Sequence, residues 1–119
     1  MKLEIKEIKD RGSNDERIVL SVNEDCDLAY YFIFSTKRGS EGMVSTLINS
    51  PFWFPSKQVK KGDLVVVYSA KGDSSFKIND DKTTSHFYYR DFKAPILINK
   101  EVVMVVEALN WRTEDVESN

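Results

Sequence analysis

The run from Lys61 to Tyr68 constrains the fold of this chain more than any other segment. It reads Lys-Gly-Asp followed by Leu-Val-Val-Val-Tyr. Gly62 can adopt a positive φ and Asp63 can hydrogen-bond within its own turn, a combination typical of the start of a strand. The β-branched and aromatic residues that follow favour a strand buried on at least one face. The run therefore predicts a β-rich domain, and it carries no catalytic signature.

Size, charge and cysteine content narrow the classes of protein. The 119 residues suit one domain that buries enough surface to fold without metals or disulfides. A net charge of −2 gives no bulk attraction to nucleic acid or acidic membranes. Cys26 is alone, which excludes an internal disulfide and a multi-cysteine zinc site. No stretch of the sequence has the apolar length of a signal peptide or a membrane span, so we expect a cytoplasmic protein. We also expect no metal and no cofactor.

Short strands separated by polar turns recur along the chain. Alternation in Arg17–Val22 places Ile18, Leu20 and Val22 on one face. The stretch from Phe76 to Ser85 is polar, and we expect a mobile loop tip at 79–82. Further strands are predicted near 3–5, 28–34, 43–48, 64–69, 86–90, 96–98 and 102–111. No segment shows a convincing helical period. We therefore predict one all-β domain over residues 1–112 and a disordered acidic tail over 113–119.

The order of these elements points to a known family. The residues concerned are Asp15–Val22, an Asp27-Leu28 pair leading into an aromatic strand to Ile33, Phe52–Pro55, Lys61–Tyr68, Phe87–Tyr89 and Glu101–Val106. Together they resemble the lamin-tail type of immunoglobulin-like β-sandwich, in the form of a bacterial stand-alone member, over about residues 1–110. Two features depart from the family. Ala29-Tyr30-Tyr31 replaces the usual glycine-tryptophan, and the late strand has tyrosines where a tryptophan is common.

The resemblance carries expectations for fold and function. It implies an immunoglobulin-like sandwich of about seven to nine antiparallel strands with little or no helix. It also implies an interaction module and not an enzyme, because domains of this appearance mostly bind other molecules.

The segment Pro51-Phe52-Trp53-Phe54-Pro55 is the leading candidate for an interaction surface. Two prolines remove ladder donors, so we expect an aromatic plug over one end of the core and not a central strand. Three consecutive aromatic residues cannot all point inward, so one or two should be partly exposed. An exposed ring with lysines nearby is typical of a protein-binding hot spot, although an adjacent loop could equally cover it.

The first functional prediction is therefore a non-enzymatic module that binds another protein or self-associates. Its surface would comprise Phe52, Trp53 and Phe54, with the strand around Tyr88. The alternative is single-stranded nucleic-acid binding, since Lys57, Lys60 and Lys61 beside the rings could hold phosphates while the rings stack on bases. In that case Arg90 and Lys93, near Tyr88 and Tyr89, would extend the surface.

A hydrolase using His86, the single histidine, is the least favoured alternative. Ser85 and His86 are neighbours in a predicted strand and should point to opposite faces. Nothing resembles a nucleophile elbow or an oxyanion hole, so an exposed strand histidine is expected. The hydrolase hypothesis requires a carboxylate or hydroxyl within hydrogen-bond reach of the imidazole, inside a pocket.

Two other chemistries are disfavoured by local sequence. Asp73, Asp80 and Asp81 do not have the spacing of a calcium loop and have lysines among them, so a solvated loop is expected and not a metal site. Cys26 has acidic neighbours, which raise the pKa of a thiol and favour an inert cysteine.

Overall fold

The computed structural model of the protein describes residues 1–38, 48–97 and 101–116, with Glu101 through its backbone only. This part of the chain is nearly all β. Its strands are β1 (Leu3–Lys9), β2 (Arg17–Val22), β3 (Cys26–Asp27), β4 (Tyr31–Lys37), β5 (Asn49–Trp53), β6 (Gln58–Val59), β7 (Leu64–Tyr68), β8 (Ser75–Ile78), β9 (Thr84–Tyr89) and β10 (Glu101–Glu107). A short 3₁₀ helix, Leu28–Tyr30, precedes β4.

The larger sheet has five strands in the order β1-β2-β7-β9-β8. Its pairs are antiparallel except β7 and β9, which run parallel with Val65 opposite His86. The chain leaves β7, forms β8 at the open edge, and returns as β9 between them. The prediction of antiparallel strands only, seven to nine in number, was therefore wrong, because the hairpin of β8 and β9 turns β9 back into the direction of β7.

A second sheet has three strands in the order β10-β4-β5, and β3 pairs with β6 in a two-stranded ribbon. β4 lies in the middle, with Met104 of β10 opposite Phe34 and Trp53 of β5 opposite Phe32. All strand pairs in the three-stranded sheet and in the β3–β6 ribbon are antiparallel.

One hydrophobic core joins the inner faces of the sheets. The five-stranded sheet contributes Leu3, Ile18, Leu20, Val22, Val65, Val67 and Tyr88, and the remaining elements contribute Leu28, Tyr31, Ile33, Phe54, Val59 and Leu97. The alternation in Arg17–Val22 predicted that Ile18, Leu20 and Val22 share one face, and the structure confirms this. Burial of these side chains is the main favourable term for folding.

Glu16 is a buried carboxylate that ties three segments together. Its side chain is fully buried and accepts hydrogen bonds from Gly12 N, Ser69 Oγ, Ile96 N and Leu97 N. These donors lie in the loop before β2, just after β7 and in the segment before β10. These donors explain why residues 96 and 97 do not form the predicted strand, since the carboxylate takes their N–H groups. Ile98, the last residue of that prediction, lies outside the described residues.

The proline-flanked segment is an edge strand. Residues 49–53 form β5, at the border of the three-stranded sheet, and not a plug over the core. The register with β4 shifts so that Ser35 pairs with Asn49 and Ile33 with Phe52. Pro51 falls in this irregular stretch, where a missing N–H is tolerated. The expectation that the segment is not a central strand is confirmed.

Other boundaries also differ from the prediction. β8 replaces much of the polar loop expected over 76–85, β10 ends at Glu107 and does not continue to Trp111, and 28–30 is helical. Of the predicted strand 43–48, residues 43–47 lie outside the described part. Residues 113–116 are exposed and without regular secondary structure, and the rest of the predicted tail is not described. No helix among the described residues is long and apolar enough to cross a membrane.

Candidate functional site

The turn before β7 has the conformation that its sequence predicts. Gly62 has a φ of 94°, and a side chain there would approach Thr83 Cγ2 to 3.1 Å. Asp63 N donates to Lys60 O at 2.9 Å, and Asp63 Oδ2 accepts from Lys60 N at 3.0 Å. Lys61 N donates to Asp25 Oδ1. Hydrogen bonds within the turn and to Asp25 thus fix the conformation of the turn and the orientation of the Asp63 side chain.

Asp63 and His86 form a buried pair. His86 Nε2 lies 3.0 Å from Asp63 Oδ2, and both side chains are 8% exposed. Asp63 also accepts from Thr84 N at 3.0 Å. Burial alone would raise the pKa of this carboxyl, but hydrogen bonds from Thr84, His86 and Lys60 hold it below its ordinary value of 3.8.

The expectation of an exposed strand histidine was wrong. Parallel pairing places His86 beside Val65, two residues from Asp63, and its side chain shares the inner face with Tyr88. Ser85 points the other way, as predicted, and its Oγ exchanges hydrogen bonds with Asn79. Among the described residues, no serine, threonine or cysteine hydrogen-bonds the His86 ring. The buried pair links the turn before β7 to β9 through Asp63 and His86.

A half-open cleft of about 380 Å³ lies beside this pair. Its lining includes Lys57, Lys60, Lys61 and Lys82, together with Phe76, Ile78 and His86. The Lys57 ammonium stands 5.8 Å from the centre of the Phe76 ring. We call this the lysine cleft. Three of its lysines belong to the predicted binding residues, but the ring beside them is Phe76 and not Trp53.

Aromatic side chains gather on the outer face of the three-stranded sheet. Trp53 is 47% exposed, and its ring packs against Phe32 at 5.8 Å and Trp111 at 5.1 Å. Tyr30 contacts Trp111 edge-on at 5.3 Å, and Trp53 Nε1 donates to Ala29 O at 2.6 Å. The hydrogen bond and ring contacts fix the orientation of Trp53.

The pairing of β10 with β4 extends this surface. Val106 lies opposite Phe32 and Met104 opposite Phe34, so their side chains share the outer face. We define the aromatic face as Tyr30, Phe32, Phe34, Trp53, Met104, Val106 and Trp111. Phe34 is buried, and the other six are half-buried or exposed. A sheet face open to solvent is usually polar, whereas these six side chains are apolar or aromatic.

The remaining predicted site residues lie in the interior or between the sheets. Phe54 and Tyr88 are buried in the core, with their rings 5.5 Å apart, and Phe52 is half-buried against both. The Arg90 guanidinium donates to Ser50 O at 2.6 Å and lies over the Phe92 ring. Burial lowers the pKa of Arg90 to about 10. Its hydrogen bond to Ser50 O links the end of β9 to β5.

The acidic loop and the cysteine show no sign of a reactive site. No group of three or more potential metal ligands occurs among the described residues. Asp81 accepts from Thr83 N and Thr83 Oγ1, which shapes the turn between β8 and β9. Burial raises the pKa of the Cys26 thiol, and nearby Asp27, Glu107 and Asp25 add to it. The predicted direction is confirmed, although burial is the larger cause.

Sequence reasoning missed Asp63 as the partner of His86, and Tyr30, Phe32, Trp111, Phe76 and Ile78 as surface residues. The signal for the aromatic face was present, because β4 and β10 are apolar on both faces and only one face of each can line the core.

Comparison with protein-family models, with curated proteins and with solved structures found no match for this chain. We therefore infer function from the lysine cleft and the aromatic face.

Proposed function

We propose that this chain is a non-enzymatic interaction module that self-associates through the aromatic face. The observation that carries the proposal is the outward Trp53, 47% exposed yet fixed by Phe32, Trp111 and the Ala29 carbonyl. Rigid tryptophan and tyrosine side chains bind with little loss of conformational entropy and are enriched at hot spots.

A second copy is the partner that this face fits best. The face carries no charged side chain that would select a partner of opposite charge. Apolar patches of this kind are self-complementary in isologous dimers, where the same surface serves on both subunits. Binding of a different protein through the same face is the alternative.

Sedimentation velocity over a range of concentrations tests the proposal. The wild-type protein should convert from monomer to dimer, and Trp53→Glu should weaken the dimer by about a hundredfold or more, as loss of a hot-spot tryptophan does. Phe76→Glu, in the lysine cleft, is the control and should dimerise normally. Trp111→Glu is a second variant in case Trp53→Glu does not fold. A wild-type protein that stays monomeric throughout would rule out self-association.

Single-stranded nucleic-acid binding remains a prediction that the geometry supports less. The lysines of the predicted surface line the lysine cleft, whereas Trp53 packs on Phe32 and Trp111 in the other sheet. Phe76 would then be the ring on which a base stacks. Binding that weakens steeply with salt and requires Lys57, Lys60 and Lys61 would support it.

The hydrolase alternative meets the condition set for it, since a carboxylate lies within reach of His86 beside a cleft. Within residues 1–38, 48–97 and 101–116, no hydroxyl or thiol hydrogen-bonds the ring. Loss of a hydrolytic activity in His86→Gln, with the fold retained, would be needed to support it.

The fold assignment is part of the same proposal. The order of elements and the shared core support an immunoglobulin-like sandwich of the lamin-tail type, and the parallel β7–β9 pair is a departure from a purely antiparallel arrangement. The lone Cys26 supports a cytoplasmic location. An experimental structure superposed on lamin-tail domains would test the fold assignment.

A further inference from the structure

β8 is an edge strand whose outer backbone is open. It ends the five-stranded sheet and pairs on one side with β9. Asn79 N donates to Thr83 O at 2.8 Å, which makes 79 and 83 a hydrogen-bonded pair. Because such pairs alternate along an antiparallel ladder, Lys77–Ser85 and Ser75–Phe87 continue the series. The backbone groups of Phe76 and Ile78 therefore face away from β9, toward the open edge.

The side chains of β8 are also exposed, and two of them, Phe76 and Ile78, line the lysine cleft. Phe76 is 63% exposed and Ile78 is 67% exposed. They lie opposite His86 and Thr84, so they share the inner face of the sheet. Soluble proteins usually protect an edge strand with charges, prolines or bulges. Within β8, Lys77 is the sole charged residue, and it points to the opposite face.

Charge in the cleft is positive although the chain as a whole is negative. Lys57, Lys60, Lys61 and Lys82 line it, and among the described residues none of their ammonium groups forms an ion pair with a carboxylate. The two carboxylates of the lining are engaged internally, Asp63 with His86 and Asp81 with Thr83. The lysines are thus available for an external anion.

We propose that β8 and the lysine cleft bind an extended acidic peptide segment that adds a strand to the free edge. Main-chain groups of the peptide would pair with Phe76 and Ile78. Among the peptide side chains that face the cleft, apolar ones would cover Phe76 and Ile78 and acidic ones would meet the lysines. This site is separate from the aromatic face and does not depend on self-association.

A peptide fits this site better than a nucleic acid does. The lysines could bind phosphates and one base could stack on Phe76. A nucleic acid would, however, leave the open backbone groups of β8 without hydrogen-bond partners and Ile78 exposed to solvent. An extended peptide uses the backbone, the aliphatic side chain and the lysines together.

Fluorescence anisotropy tests the proposal with a labelled octapeptide in which every second residue, the set that faces the cleft, is in turn valine and glutamate, and the residues between them are threonine. The matched variants are Ile78→Pro and Ile78→Ala, which both remove the isoleucine side chain, while proline alone removes the open N–H. We expect Ile78→Pro to weaken binding about tenfold more than Ile78→Ala. Lys57→Glu with Lys60→Glu should weaken it about tenfold or more, in a salt-dependent manner. Circular dichroism confirms that each variant is folded.

A second measurement leaves the protein unchanged. The same peptide with alternate backbone amides N-methylated keeps its charges and side chains but loses main-chain donors, and it should bind at least about tenfold more weakly. An oligothymidylate should not displace the peptide. No peptide binding at low salt, equal binding of the methylated peptide, or displacement by the oligonucleotide would overturn the proposal.

Discussion

Glu16 and Asp63 are the residues whose chemistry most clearly serves the fold. Both are buried, and both have their oxygens filled by donors from distant segments. A buried carboxylate is tolerated when hydrogen bonds replace its hydration. The sequence predicted that Asp63 bonds within its own turn, but not its contact with His86 or the role of Glu16, because those partners lie far away along the chain.

Glu16→Gln should destabilise the protein. The amide offers one acceptor oxygen where the carboxylate offers two, so at least one of the four donors loses its partner. We expect the free energy of unfolding to fall by about 3 kcal/mol. Urea denaturation measures this, with Asp15→Asn, an exposed neighbour, as the control. A change equal to that of the control would contradict the role given to Glu16.

Stability should also fall in acid. Burial alone raises the pKa of Glu16, but its hydrogen bonds hold it below the ordinary value of 4.5, and Asp63 lies below 3.8 in the same way. A carboxyl whose pKa is lower in the folded chain stabilises the fold above its unfolded pKa, and the contribution is lost as pH falls through the folded value. Denaturation measured at decreasing pH should show this loss below pH 4.5. A smaller loss in Glu16→Gln is expected, and equal losses would refute the assignment.

At the scale of elements, the turn before β7 was predictable and β8 was not. Gly62 and Asp63 act through their own neighbours, which the sequence displays. β8 has a polar flank and four exposed residues, so it lacks the buried alternation by which strands are recognised. His86 was misassigned for a related reason, since its burial depends on parallel pairing with β7 and on Asp63, which lies 23 residues away.

Gly62→Ala tests the turn. Its φ of 94° is strained for alanine, and the new Cβ would lie 3.1 Å from Thr83 Cγ2. Gly12→Ala is a matched control, because Gly12 also has a positive φ but nothing within 4 Å. We expect Gly62→Ala to cost about 1 kcal/mol more than Gly12→Ala in thermal or urea unfolding.

The contact with Thr83 can be isolated. Thr83→Ser removes Cγ2 and keeps the hydroxyl that donates to Asp81. In the Thr83→Ser background the extra cost of Gly62→Ala should largely disappear. If it persists, the strain lies in the backbone alone.

At the scale of the whole molecule, the feature most relevant to function is an apolar sheet face that does not line the core. The sequence shows that β4 and β10 are apolar on both sides, but it cannot say which side faces the core, because that depends on the pairing of distant strands. The structure turns Tyr31, Ile33, Val103 and Val105 inward and leaves Phe32, Trp53 and Val106 on the outer face. The aromatic segment named from sequence is thereby divided, with Phe54 in the core and Trp53 at the surface.

The two tryptophans of the chain, Trp53 and Trp111, both lie on the aromatic face and report on it directly. Acrylamide quenching of their emission, measured as the protein concentration is raised, is the most direct test of self-association. We predict that quenching decreases and the emission maximum moves to shorter wavelength as the dimer forms, with no such change in Phe32→Glu. Tryptophans that remain equally quenchable at every concentration would contradict the proposed function.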